Sequence, residues 1–120
     1  MRKRASLMVA AGVAGLLTAG WSTFAAAADE VTGKQLAYDN KKGNCLACHA
    51  MPTAADAVSP GTIAPPLLSI KARYPDKAVL RAQIWDATKA NPNTSMPPFG
   101  KHKILTEQEI DKVTDFIYGL

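Results

Sequence analysis

At 120 residues, 48% of them apolar, the chain is long enough for one small domain, and its two cysteines both fall in a single five-residue segment. Fourteen Lys and Arg stand against ten Asp and Glu, but Arg2, Lys3 and Arg4 lie at the extreme N-terminus; without them eleven basic residues face ten acidic ones. A net charge near +1 removes the support for nucleic-acid binding and leaves only weak long-range steering toward a charged partner.

Residues 1–28 read as a secretory signal peptide. Basic Met1 to Arg4 are followed by an apolar, glycine-containing stretch from Leu7 to Gly20, too short to favour a spanning helix. An alanine run then ends at Ala28, before Asp29 and Glu30. Cleavage is expected between Ala25 and Ala28. No cysteine stands there, which rules out lipid anchoring at that point, and the lysine between Arg2 and Arg4 argues against twin-arginine export. Residues 29–120 are therefore expected to form one periplasmic domain, free of the membrane after cleavage.

Val31 to Asn44 reads as a helix with Gly33, Leu36 and Ala37 on one face. It leads into Cys45-Leu46-Ala47-Cys48-His49, a C-x-x-C-H site. Two thiols three residues apart can each add to one vinyl group of a porphyrin, and the following histidine is then held beneath the iron. A thioredoxin-like disulfide would need a βαβ context, absent from these Ala-, Pro- and Lys-rich flanks. A structural zinc site would need four ligands, and His102 is the only other histidine. One covalent haem c, attached through Cys45 and Cys48 with His49 as proximal iron ligand, is the reading that remains. Thioether formation outside the cytoplasm agrees with export.

Met51 to Pro66 is irregular, broken by Pro52, Pro60, Gly61, Pro65 and Pro66. A short helix is expected over Leu67 to Arg73. Pro75 then suits the start of a longer one over Asp76 to Lys89, with Val79, Leu80, Ile84 and either Ala87 or Trp85 inward. Asn91-Pro92 ends it, and Asn91 to Gly100 is a proline-shaped loop. Thr106 to Glu109 forms a capping box ahead of Ile110, Val113, Ile117 and Leu120 at helical spacing, with Phe116 beside them. Nothing alternates as a sheet strand would, so the domain reads as all-α.

The second axial ligand decides the chemistry, because methionine raises the potential and blocks small-ligand exchange. Met96, between Ser95 and Pro97-Pro98, can reach the opposite face on a stiff loop. Met51 follows His49 too closely without a reversal of the chain, and His102 lies between two lysines and is expected to face solvent. Filling a gap in the core is the bland alternative for Met96. The carbonyl of Pro65, or in its place Pro66, is a candidate acceptor for the non-ligating nitrogen of His49.

This plan of helix, C-x-x-C-H, proline loop, helix, methionine loop and final helix resembles the class I cytochrome c fold over nearly the whole of residues 29–120. In that fold the first and last helices cross, which makes Gly33 a candidate for close approach to Ile110, Val113 and Ile117. The strings GNCLACHA, GTIAPPLLSIKARYPD and the stretch from Leu80 to Leu120 further resemble the SoxX family, the small monohaem subunits of SoxAX cytochromes. The resemblance implies haem on Cys45 and Cys48, proximal His49 and distal Met96. It also implies a heterodimer with SoxA, which carries the catalytic haem and cysteine of an L-cysteine S-thiosulfotransferase. That complex joins thiosulfate oxidatively to a cysteine of the SoxYZ carrier, and this subunit passes the electrons to a small acceptor cytochrome. No catalytic residue is expected here: no cysteine remains free, and Glu107, Glu109, Asp111 and Asp115 read as a solvated helix face. The alternatives are a free periplasmic monohaem cytochrome c that shuttles electrons to an oxidase, and a haem sensor or peroxidase with a labile methionine.

Overall fold

The computed structural model describes residues 30–120, so the signal-peptide reading of 1–28 lies outside the described residues. Helix α1 (Gly33–Tyr38) begins at Thr32, whose hydroxyl accepts the Gln35 N–H at 3.2 Å. The Gln35 side chain accepts the Thr32 N–H in return at 2.8 Å, completing a capping box. The helix is far shorter than the expected 31–44. Asp39 leaves it in extended backbone, and the Asp39 carboxylate takes the Lys41 N–H at 2.8 Å. That side-chain turn outcompetes further helix, and the chain folds back until the Gly43 N–H donates to the Leu36 carbonyl at 3.0 Å.

Helix α2 is a single turn, Ile70–Arg73, starting later than expected because Ser69 stands in the left-handed region at φ 50°. Helix α3 (Lys77–Trp85) is capped by Asp76, whose carboxylate accepts the Ala78 N–H at 2.8 Å. The expected helix over 76–89 is interrupted at Asp86, which leaves helical geometry and caps a separate 3₁₀ turn, Ala87–Lys89. Leu80, Ile84 and Ala87 are buried as expected, whereas Val79 is 55% exposed. Leu80 and Ile84, four residues apart, define the inward stripe; Val79 lies about 100° around the helix from it.

Helix α4 (Glu107–Tyr118) carries the expected capping box: Thr106 Oγ1 accepts from the Glu109 N–H at 3.2 Å, and Glu109 accepts from the Thr106 N–H at 2.8 Å. Ile110, Val113, Thr114 and Ile117 are buried. The Thr114 hydroxyl is satisfied by the Ile110 carbonyl at 2.7 Å. With no strand among the described residues, the architecture is all-α. α4 packs across both α1 and α3. Leu36, Ile70, Leu80, Ile84, Phe99, Leu105 and the α4 stripe meet in one core, with Met51 inside it.

Ion pairs along the rim join α3 to α4, as Arg81 reaches Asp111 at 2.6 Å and Lys77 reaches Asp115 at 2.7 Å. Being exposed, such pairs contribute little beside the buried stripe. Tyr38 meets Phe116 edge to face, ring centroids 6.0 Å apart. At the α1–α4 crossing a Cβ on Gly33 would fall 1.9 Å from the Lys112 carbonyl oxygen and 3.1 Å from Phe116 Cβ. The close approach is therefore to the Lys112–Phe116 turn of α4, beside the Ile110, Val113, Ile117 stripe rather than on it.

Gly33→Ala is expected to push the two helices apart and to cost about 1–3 kcal/mol in denaturant unfolding of the haem-loaded protein. An unchanged midpoint would show that the crossing relaxes freely. Acid should act through Glu109, held below the usual carboxylate range by the Thr106 N–H first and by Lys42, 2.9 Å away, second. A depressed folded value means that its stabilisation is complete above about 4.5 and lost as pH falls through the folded value. The stability difference between wild type and Glu109→Gln should accordingly be largest near neutrality and narrow below about pH 4, read from unfolding curves at stepped pH.

Candidate haem-attachment site

Asn44, left-handed at φ 47°, turns the chain out of the loop after α1 and into a 3₁₀ turn, Cys45–Ala47. The Ala47 N–H donates to Asn44, and those of Cys48 and His49 both donate to the Cys45 carbonyl, at 3.1, 3.2 and 2.9 Å. Cys45, Cys48 and His49 are thereby presented from one tight turn. Both thiols are free and half-buried. Burial pushes the Cys45 thiol up to about 11, which keeps it protonated and disfavours a thiolate metal centre. Among the described residues no group of three or more His, Cys, Asp or Glu side chains is placed to hold a metal ion.

The proline loop runs alongside this turn and is laced to it by backbone. The Gly61 N–H donates to Leu46, Ala64 to Cys48 and Leu67 to Ala50, at 2.7, 3.0 and 2.7 Å. This lacing sets the Pro65 carbonyl 2.6 Å from His49 Nδ1. A carbonyl can only accept, so Nδ1 carries the proton and Nε2 keeps its lone pair for a metal. The Pro66 carbonyl, the other candidate acceptor, is taken by Arg73 Nη1 at 3.0 Å. Arg73 and the lacing amides escaped the sequence reading. Backbone pairing between two irregular segments has no side-chain signature, and an arginine closing a helix usually faces solvent.

The three candidates for a second ligand stand in different settings. Met51 is buried within the aliphatic core. His102 is exposed, on a turn whose N–H donates to the Pro98 carbonyl at 2.9 Å. Met96 is partly buried against the core, on a loop given shape by its own bonds: the Met96 N–H donates to Thr94 Oγ1 and the Thr94 N–H to the Asn91 carbonyl, at 3.1 and 3.0 Å. The segment beyond is knit in the same way, Ile104 and Leu105 both donating to Phe99.

Four short helices around one core, a C-x-x-C-H turn laced to a proline loop, and a methionine loop ahead of the final helix define a small class I cytochrome c domain. Residues 30–117 match the family described as "Cytochrome C oxidase, cbb3-type, subunit III". The crystal structure of SoxXA from P. pantotrophus is similar at a TM-score of 0.65 and 31% identity, over 72% of this chain and 77% of that one. No curated protein matches the chain. The chain belongs to this family of cytochrome c domains, and its likeness to SoxXA places it among the SoxX-type members. It is an electron-transfer cytochrome, and none of its described helices is long and apolar enough to cross a membrane. The donor set fits the family's covalent haem c: two free thiols spaced for thioethers, and an imidazole fixed through one nitrogen with the other available.

Proposed function

We propose that the chain is the monohaem electron-transfer subunit of a SoxAX-type complex of the periplasm, exported by the signal peptide of residues 1–28 and paired with a SoxA-type haem subunit. One haem c is attached through Cys45 and Cys48, with His49 as proximal and Met96 as distal iron ligand. Bound there, haem c supplies one-electron chemistry. The residues of the chain orient it: Pro65 holds the His49 ring and strengthens its basicity, and the Asn91–Gly100 loop presents the thioether. The His49–Pro65 hydrogen bond at 2.6 Å is the observation that carries the haem reading.

Likeness to SoxXA supports the partner. So does the surface beside the site, where Val58 and Ile63 of the proline loop are 77% and 80% exposed among prolines. A free shuttle has less use for such an apolar edge than a docked subunit. In the complex, an S–S bond forms between the terminal sulfur of thiosulfate and a cysteine of the SoxYZ carrier. The thiol proton is released and two electrons leave, one at a time, toward a small acceptor cytochrome. The bond-making groups are assigned to SoxA, since alkylation of Cys45 and Cys48 leaves no thiol on this chain.

Two outcomes check the reading. The mature haem protein mixed with SoxA should elute as a heterodimer in size-exclusion chromatography; separate peaks at micromolar concentration would defeat the subunit assignment and leave the free shuttle. Met96→Ala should abolish the methionine-to-iron absorption band, lower the reduction potential and open the ferrous protein to carbon monoxide. An unaltered spectrum would exclude Met96 as a ligand.

A further inference from the structure

Among the described residues Asp86 is the one buried acidic side chain, 4% exposed, and haem attachment gives it no role. Its carboxylate accepts the Thr88 N–H at 3.2 Å, accepts the Thr88 hydroxyl in a short bond, and pairs with Lys101 Nζ at 3.2 Å. These contacts, the Thr88 hydroxyl foremost and Lys101 after it, hold it below the usual carboxylate range. A buried carboxylate is retained without cost only when such partners satisfy it.

Its neighbours tie down both ends of one loop. The Asn91 N–H donates to the Ala87 carbonyl at 3.1 Å, fixing the loop's start. The Gly100 and Lys101 N–H groups both donate to the Trp85 carbonyl, at 3.1 and 3.2 Å, fixing its end. Gly100 lies so close to the Trp85 ring that a Cβ would stand 2.1 Å from it, and Arg81 covers Trp85 at 5.7 Å. Residues 85–87 thus form a clasp, and Met96 stands midway along what it closes.

We infer that Asp86 is a positioning residue: by pairing with Lys101 and capping the 3₁₀ turn it keeps the Trp85–Ala87 clasp closed on the Met96 loop, and so sets how readily methionine yields its place on iron to an outside ligand. This rests on the assignment of Met96 as distal ligand. A closed clasp leaves the thioether one short path back to the metal, whereas an open one multiplies the loop conformations that compete with religation.

The test is an imidazole titration of the ferric holoprotein, following loss of the methionine-to-iron band, with denaturant unfolding followed by circular dichroism on the same samples. Asp86→Asn keeps the shape and removes the charge. It should be displaced at about tenfold lower imidazole than wild type. Lys101→Met should shift in the same direction by less, because the Thr88 bonds survive. Asp115→Asn breaks the exposed Lys77 pair, which shares no contact with the clasp, and should leave the imidazole midpoint unmoved. An Asp86→Asn midpoint shifted no further than that of Asp115→Asn would overturn the inference, even if unfolding moved. Should Asp86→Asn fail to assemble, Lys101→Met decides: an earlier displacement supports the clasp and an unshifted one overturns it. A band missing from wild type, or surviving in Met96→Ala, would instead bring down the ligand assignment and the clasp together.

Discussion

The hydrogen bond from His49 Nδ1 to the Pro65 carbonyl is the constraint on which the site depends, because it decides which ring nitrogen is left for a metal. Such a bond needs a carbonyl that stays in place, and irregular backbone rarely offers one. Here rigidity comes from two sources acting together. Prolines remove torsional freedom on either side of the acceptor. Amides of Gly61, Ala64 and Leu67 meanwhile pair at three-residue intervals with carbonyls of Leu46, Cys48 and Ala50. The loop behaves as a splint along the attachment turn, obtained without a strand. Arg73 completes it by occupying the neighbouring Pro66 carbonyl, so the imidazole has a single acceptor.

The helices could not supply this order by themselves. α1 and α2 span six and four residues, well under the length at which an isolated helix is stable in water. They persist because α4 offers a continuous apolar stripe, and α1 also because Thr32 caps its first amides, whereas Ser69 makes no side-chain cap bond to α2. Thr32 with Gln35 and Thr106 with Glu109 use the same reciprocal geometry at the two helices that cross. A domain this small buries a modest share of its surface, and the covalently tethered apolar cofactor proposed for Cys45 and Cys48 would offset that shortfall.

Legibility in the sequence followed the range of the interaction. The C-x-x-C-H spacing, the proline loop and the α4 capping box are local patterns, and each was readable. The Thr32–Gln35 box is equally local, but Gln stands at its third position where Glu stands in the α4 box. Asp39 and Asp86 account for most of the boundary errors. Each was read as helix interior, and each turns its carboxylate onto a backbone amide two residues ahead and ends the helix. Val79 differs from the expectation because Leu80 and Ile84, four residues apart, define the buried stripe and leave its neighbour off it. The Pro65 acceptor was one of two candidates from sequence alone. The His49 bond to Pro65 and the Arg73 bond to Pro66, both matters of tertiary placement, separate them.

Charge explains why apolar contact, rather than steering, suits this domain's associations. Over residues 29–120 eleven basic side chains nearly balance ten acidic ones. Many are already paired along the α3–α4 and α1–α4 rims, as with Arg81, Lys77, Lys42 and Lys112. Little net field is left to orient an approaching partner from beyond a Debye length. The proline loop has the opposite character, displaying Val58 and Ile63, the latter between Gly61 and Ala64, whose amides donate to the attachment turn. Ordering the Ile63 end of that surface costs little on association, since the bonds from Gly61 and Ala64 to the attachment turn already hold its backbone. One stretch of chain thus holds the His49 imidazole through Pro65 and also carries the exposed apolar side chains Val58 and Ile63, the edge at which a docked partner is proposed.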